Sequence, residues 1–353
     1  MPRLKPTKTH FVAATARNQV MRHTKLGPFG DVSRLALGGG GLGQIWGETT
    51  SEEARATIHG ALDAGINLID SAPSYHNCER EIATVFSGKL PKDVRITTKC
   101  LLSEVPVGSA TTMLEASLDA SLKAMRIDHA DIFFLHSNIC EDDFVFAHGN
   151  EFRARFATPW SQYTEEVIPA FEALKAKGRI GGWGITGIGV PSTVLKALSH
   201  NSKPDVIQLI ANLMDSAGAL RRYDEPERAR ELIAAAKKNG VGVMGIRAVQ
   251  AGALTSGIDR PLKPSHPETK DFKRAAPFRE LCDNLKVDPS VLAHQYALDI
   301  PGVDTIVLGV KNRAELDQCL EAEALGPISD DLRAQIDDLE LDQGHLEQFP
   351  VSG

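Results

Sequence analysis

The sequence predicts an α/β chain closed into a (β/α)8 TIM barrel, with an N-terminal β-hairpin and a long loop after the fourth strand. Three observations lead there. Eight short apolar runs recur along the 353 residues, mostly alternating with stretches of helical period. The runs are apolar along their length, as strands buried on both faces of a parallel sheet are. The glycine run Gly38–Gly43 (GGGGLG) leads into a loop carrying Trp46 rather than into a helix. The doubly wound alternative therefore lacks its dinucleotide fingerprint.

Taken in order, Gly27, Pro28, Gly30 and Asp31 punctuate residues 22–43 as a hairpin would. Arg34–Gly38 reads as the first barrel strand. A helix follows from Thr50-Ser51-Glu52-Glu53, with acids in its first turn, and stops at Gly65. Asn67–Asp70, Val94–Thr98 (ending at Lys99) and Asp131–Leu135 (ending at His136) are the next three strands, with a helix over 112–125 between the last two. Residues 137–162 show no clear period. A helix over 163–177 stops at Gly178, and Ile180–Ile185 and Asp205–Gln208 are the fifth and sixth strands. The helix Glu225–Asn239 ends before Gly240, the expected stop. Val241–Ile246 and Thr305–Leu308 complete the eight, with a last helix from about Asn312. Without a Pro/Gly/Ser-rich linker, residues 21–353 read as one domain and 1–20 as a flexible tail.

Composition narrows the function. A formal net charge of -7 argues against a nucleic-acid partner, whose phosphates call for a basic footprint. The longest apolar runs fall short of the roughly 20 residues of a membrane span. Cys78, Cys100, Cys140, Cys282 and Cys319 are odd in number and widely spread, which suits reduced thiols in a cytoplasm better than a disulfide framework. His59, His76, His136 and His148 lack ligand spacing with cysteines or carboxylates, so no metal site is expected. Nothing in the pattern specifies an oligomeric state.

A barrel binds its ligand at the C-terminal ends of its strands. Three consecutive strands end in polar residues there: Asp70, running into Ser71-Ala72-Pro73-Ser74-Tyr75; Lys99; and His136. Singly, each has an ordinary reading as a turn former, a packing tyrosine, a surface lysine or a satisfied structural histidine. A carboxylate, a phenol, an ammonium and an imidazole around one mouth argue for chemistry.

ALDAGINLIDSAPSYHNCEREIA (61–83) resembles the second-strand signature of the aldo-keto reductases: an Asp, a short Ala-containing turn, a Tyr and then a Glu, here Asp70, Ala72, Tyr75 and Glu79. ITTKC (96–100) and DIFFLHSN (131–138) resemble the lysine and histidine strands of that family, and the likeness continues in order to about residue 325. It implies hydride transfer between a nicotinamide cofactor and a carbonyl or alcohol substrate (an aldehyde, ketone or sugar). Tyr75 would be the general acid/base, Lys99 and Asp70 its tuners, and His136 the group that orients the substrate. The residue chemistry agrees, because no side chain supplies a hydride. A phenol near pKa 10 also needs a neighbouring ammonium to become a useful acid.

For the cofactor, the resemblance places Asp70, Thr186, Gln208, Asn212 and Ile246 around the nicotinamide, and Gly309, Lys311, Asn312 and Glu315 around the adenosine phosphate. The chain departs from the family pattern in three places. Thr186-Gly187 stands where Ser-Asn is common, Ile246 where an aromatic often stacks, and Arg247 where a small hydroxyl residue is usual. Arg247 is either a diphosphate clamp or a salt-bridged rim arginine. Lys311 and Asn312 favour NADP(H), whereas Glu315 keeps NAD(H) open. Trp46 and Trp160 are candidate walls of an apolar substrate pocket, with Tyr75 and His136 at its base, and 257–275 is a loop placed to cover the cofactor. The alternative to an enzyme is a cofactor-binding regulatory subunit of the same fold, which would have no use for the phenol–ammonium pair.

Overall fold

A computed structural model describes residues 20–146 and 149–342; nearly all of the expected tail at 1–20 lies outside them. Eight parallel strands close a barrel: β3 (Leu35–Gly38), β4 (Leu68–Asp70), β5 (Arg95–Cys100), β6 (Ala130–Leu135), β9 (Ile180–Thr186), β10 (Val206–Ile210), β11 (Gly242–Ile246) and β12 (Thr305–Leu308), each beside its predecessor. The antiparallel hairpin of β1 (His23–Lys25) and β2 (Asp31–Ser33) precedes them. All eight barrel strands lie within a few residues of their predicted positions.

Strand periodicity sorts the side chains into two cores. Ala36, Leu68, Ile132, Phe134, Val206 and Met244 fill the barrel with Leu26 and Val32 of the hairpin segment. The alternate residues, among them Leu35, Leu37, Ile69, Phe133, Ile207 and Val243, pack outward against the helices. Gly184 serves this packing directly, since a Cβ there would lie 2.3 Å from a ring carbon of Phe134.

In two of the helices that were not anticipated, no apolar stripe marks the segment. Pro289–Leu298 is buried at every position but Ser290, so it shows no amphipathic contrast. Pro267–Arg274, within the expected loop 257–275, is almost wholly polar, and Glu268 and Asp271 are its buried residues. Segment 137–162 is likewise more ordered than expected. It carries the short parallel pair β7 (Asn138–Cys140) and β8 (Ala157–Pro159) and the helix Asn150–Phe156. Its aromatics form a satellite core: Phe144 and Phe152 pack on Cys140, Phe146, Ala157, Val190 and Tyr223.

Candidate functional site

The inward parity that fills the barrel also builds its mouth. One step beyond Leu68 on the inner face is Asp70; beyond Phe134 is His136; beyond Val206 is Gln208; beyond Met244 is Ile246. The register sets Gly38 beside Asp70 and Asp70 beside Thr97. The backbone N–H of His136 donates to the Cys100 carbonyl at 2.8 Å, extending the pairing past the end of β6. Tyr75 reaches the same place on a tight turn: its N–H bonds the Ala72 carbonyl at 3.0 Å, and its carbonyl accepts from Cys78 at 2.9 Å. The glycine run makes this approach possible. A Cβ on Gly43 would lie 1.9 Å from the Tyr75 carbonyl oxygen, and one on Gly41 2.0 Å from that of Val310. These glycines clear space between the Tyr75 turn and the segment after β12.

Lys99 is fully buried, and its ammonium donates to Asp70 Oδ2 at 2.7 Å and to the Ser71 carbonyl at 2.9 Å. Its Nζ sits 4.7 Å from the centre of the Tyr75 ring. The other oxygen of Asp70 accepts from Gln208 Nε2 at 2.8 Å and from Thr97 Oγ1 at 2.7 Å. The His136 ring meets Tyr75 edge-on at 6.0 Å.

The electrostatics follow from these contacts. Burial opposes the Lys99 charge, but Asp70 and then Tyr75 outweigh it and hold the ammonium above the ordinary lysine pKa. Burial pushes the Tyr75 phenol up, and Lys99 pulls it back only in part. The lysine effect expected from sequence is present, but desolvation exceeds it, so the phenol keeps its proton. His136 is pushed down to about 3, by burial first and then by Lys99. Its imidazole is neutral.

A cleft of about 500 Å³ runs from Asp70, Tyr75 and His136, past Thr186, Gln208 and Ile246, to Gly309, Lys311, Glu315 and Gln318. Trp46 lines it, as do Ile45, Ile188 and Leu220, apolar residues that sequence reasoning did not single out. Arg247 also borders the cleft, but its guanidinium is spoken for: Nη2 pairs with Glu268 at 2.6 Å and Nε donates to Gln250 at 2.8 Å. Lys311 is held between Asp259 and Glu315, and the Glu315 carboxylate also accepts the Lys311 backbone N–H at 2.8 Å.

Three candidates stand apart from the cleft lining. Trp160 lies under Lys196, whose Nζ is 4.0 Å from its ring, and packs on Tyr163 and His200, so the β7–β8 pairing carries it away from the mouth. Asn212 is buried, with its amide tying the Ser216 and Arg247 carbonyls and its carbonyl accepting from Met214 and Ser216. Asn312 caps the helix Arg313–Leu325 by accepting from the Glu315 N–H at 2.9 Å. Asn212 and Asn312 meet local backbone needs, and Trp160 a packing need, that a family motif does not reveal.

The mouth thus holds a buried ammonium–carboxylate pair beneath a phenol and opens into a long cleft. The chain belongs to the aldo/keto reductase family, whose model matches residues 34–341. It is similar to an L-galactose dehydrogenase of Arabidopsis thaliana, 25% identical over 304 residues, covering 84% of this chain and 86% of the relative. A D-threo-aldose 1-dehydrogenase of a Pseudomonas species is 23% identical, with 83% and 90% covered. An aldo-keto reductase from Bacillus halodurans, solved in its holo form, shares the fold with a TM-score of 0.65 and 20% identity over 90% of this chain and 96% of that one. The protein is an NAD(P)-dependent oxidoreductase of small carbonyl compounds. Among the described residues, no helix is long and apolar enough to cross a membrane.

Proposed function

We propose that the chain interconverts an uncharged carbonyl compound and its alcohol, with Tyr75 as the group that gives or takes the proton. The observation that carries this reading is the wholly buried Lys99, paired with Asp70 and set against the Tyr75 ring. A buried lysine is costly unless it is paired, and here its charge faces the phenol whose ionised form it stabilises. A nicotinamide bound along the cleft would supply or accept the hydride. Tyr75 Oη holds a proton ready for the substrate oxygen. Lys99 offsets the negative charge that develops as that proton leaves, and Asp70 keeps the ammonium charged and aimed. His136, neutral, offers a ring N–H to the same oxygen and fixes the carbonyl's orientation. Ile45, Trp46, Ile188 and Leu220 supply apolar walls, which suit a substrate without a charge.

The residues present fit a dinucleotide. Gly38, Gly40 and Gly309 leave a bare wall, and the cleft continues to the start of the helix Arg313–Leu325. We read the adenosine end as favouring NAD(H), against the lean toward NADP(H) that Lys311 and Asn312 suggested. Asp259 and Glu315 already neutralise Lys311, Asn312 is committed to its cap, and Asp288 adds a third carboxylate to the cleft lining. A 2′-phosphate would meet these carboxylates, whereas a free ribose hydroxyl could donate to them.

The test is steady-state consumption of NADH and NADPH against a reactive aldehyde and a reactive dione, with Tyr75→Phe as the control. Turnover should fall by about three orders of magnitude in Tyr75→Phe, the scale of general acid catalysis, while cofactor binding persists. Full turnover in that variant would sink the assignment.

A further inference from the structure

We infer that Thr97 is a positioning residue for the proton relay, holding both acceptors of the Lys99 ammonium in place from the floor of the mouth. The inference rests on the reading of Tyr75 as the proton carrier.

β5 alternates its faces. Ile96, Thr98 and Cys100 look outward: Ile96 and Cys100 pack in the outer core, and Thr98 bonds Glu79 at 2.8 Å and Ser121 at 3.1 Å. Thr97 and Lys99 therefore share the inner face, one above the other. Thr97 is wholly buried, level with Asp70 on β4 and Ile132 on β6, and its hydroxyl donates to Asp70 Oδ1 at 2.7 Å. Its carbonyl accepts from the Ser71 N–H at 3.2 Å and from Ser71 Oγ at 2.8 Å. Asp70 Oδ2 and the Ser71 carbonyl are the two groups that receive the Lys99 ammonium. One residue thus ties down both.

The second donor to Asp70 Oδ1 is Gln208, which lines the cleft and can be drawn to whatever binds there. Thr97 lies below the cleft lining and is out of reach of a ligand, so its bond is the fixed one. A hydroxyl donated to a carboxylate draws off part of the charge and fixes the plane of the group. With that donor gone, more of the Asp70 charge faces the phenol, and Oδ1 is held by Gln208 alone. Both changes make the ionised phenol harder to reach.

The groups facing this trio are few. Cys78 adjoins Tyr75, and burial pushes its thiol far up, so it stays neutral. Glu79 feels Lys99 from the outer face, and burial raises its carboxyl. His136 is neutral. The phenol, ammonium and carboxylate remain as the partners whose balance Thr97 sets.

The test compares the parent protein with Thr97→Val, which keeps the shape and the backbone bonds but loses the hydroxyl, and with Thr97→Ser, which restores it. Protein labelled with [13Cζ]tyrosine reports the Tyr75 environment without turnover, its resonance assigned by its loss in Tyr75→Phe. The expected result is a displaced Tyr75 resonance at neutral pH in Thr97→Val and its return in Thr97→Ser. In turnover of a reactive dione, kcat should fall about tenfold, the equivalent of one pKa unit, with KM changed less than about twofold, because an interaction made only in the transition state is lost. The rising limb of the alcohol-oxidation profile should move to higher pH. A Thr97→Val resonance and kcat that superimpose on the parent, or a Thr97→Ser variant that fails to recover both, would overturn the inference. If Tyr75→Phe is inactive while Thr97→Val behaves as the parent, only the role of Thr97 falls. If Tyr75→Phe keeps full activity, the proton-carrier reading falls instead.

Discussion

Replacing Asp70 by Asn leaves the Lys99 ammonium wholly buried without its counter-charge, its direct hydrogen bonds otherwise going to Ser71 and toward Tyr75. Breaking a buried ion pair from one side costs about 3–5 kcal/mol. Unfolding entropy is about 2.1 cal/mol/K per residue, or about 0.7 kcal/mol/K over the 353 residues, so a loss of about 4 kcal/mol lowers Tm by about 5 °C. The sign with pH is also determined. In the parent, the folded pKa of Lys99 lies above its ordinary 10.5, so the pair's contribution is complete below that pH and is lost only as pH rises through the folded value. In Asp70→Asn the largest contribution opposing burial is gone, and the folded pKa should drop below that of the unfolded chain. Between the two values the unfolded chain binds more protons, so the variant's stability climbs with pH. The gap between parent and variant should therefore be widest at neutral pH and shrink toward pH 10. The assay is thermal unfolding followed by circular dichroism at pH 7 and pH 9.5. The same measurement on Asp70→Asn with Lys99→Met should show most of the loss recovered, since no charge remains to be buried. A single variant within about 1 °C of the parent at both pH values, or a double variant no better than the single, would refute the reasoning.

Three further outcomes follow from other parts of the molecule. Glu315→Lys removes a carboxylate that neutralises Lys311 and should raise the affinity for NADPH relative to NADH about tenfold, or about 1.4 kcal/mol, in fluorescence titrations; an unchanged ratio would return Glu315 to a purely helical role. The His136 imidazole, pushed down to about 3 by burial, should show no titration by NMR between pH 5 and 8. Because the unfolded histidine takes a proton near pH 6.5, His136 contributes stability above that pH that is lost as pH falls toward 3. A His136 midpoint near 6.5 in the native protein would contradict the neutral assignment. Gly184→Ala drives a methyl into the Phe134 ring within the barrel interior, and chemical denaturation should report a loss of about 1–3 kcal/mol, the usual cost of overpacking.

The residues that sequence reasoning found and those it missed differ in a physical way. Asp70, Lys99 and His136 were legible because a strand's inner face is set by alternation, and a polar residue at the end of an apolar strand has few structural reasons to be there; Tyr75, on the turn after β4, was legible through the likeness of residues 61–83 to a family signature. Thr97 obeys the same alternation, but a threonine inside a strand is ordinary, and its role appears only when β4 is laid beside β5 and its hydroxyl meets Asp70. The meaning of the glycine run also had to wait for packing, since Gly43 and Gly41 are constrained by the Tyr75 and Val310 carbonyls.

By itself the sequence determined the barrel, its strand positions and the four polar groups at its mouth, because these depend on local period and chain order. The tertiary structure decided which charges are free and which are spent. Arg247 turned to Glu268, 21 positions away, Lys311 turned to Asp259, 52 positions away, and Trp160 turned to Lys196. Each pairing joins side chains from separate loops or helices, and no local pattern encodes it. A charged side chain near a buried cleft is too costly to leave unpaired, so it takes the partner that the folded chain brings within reach.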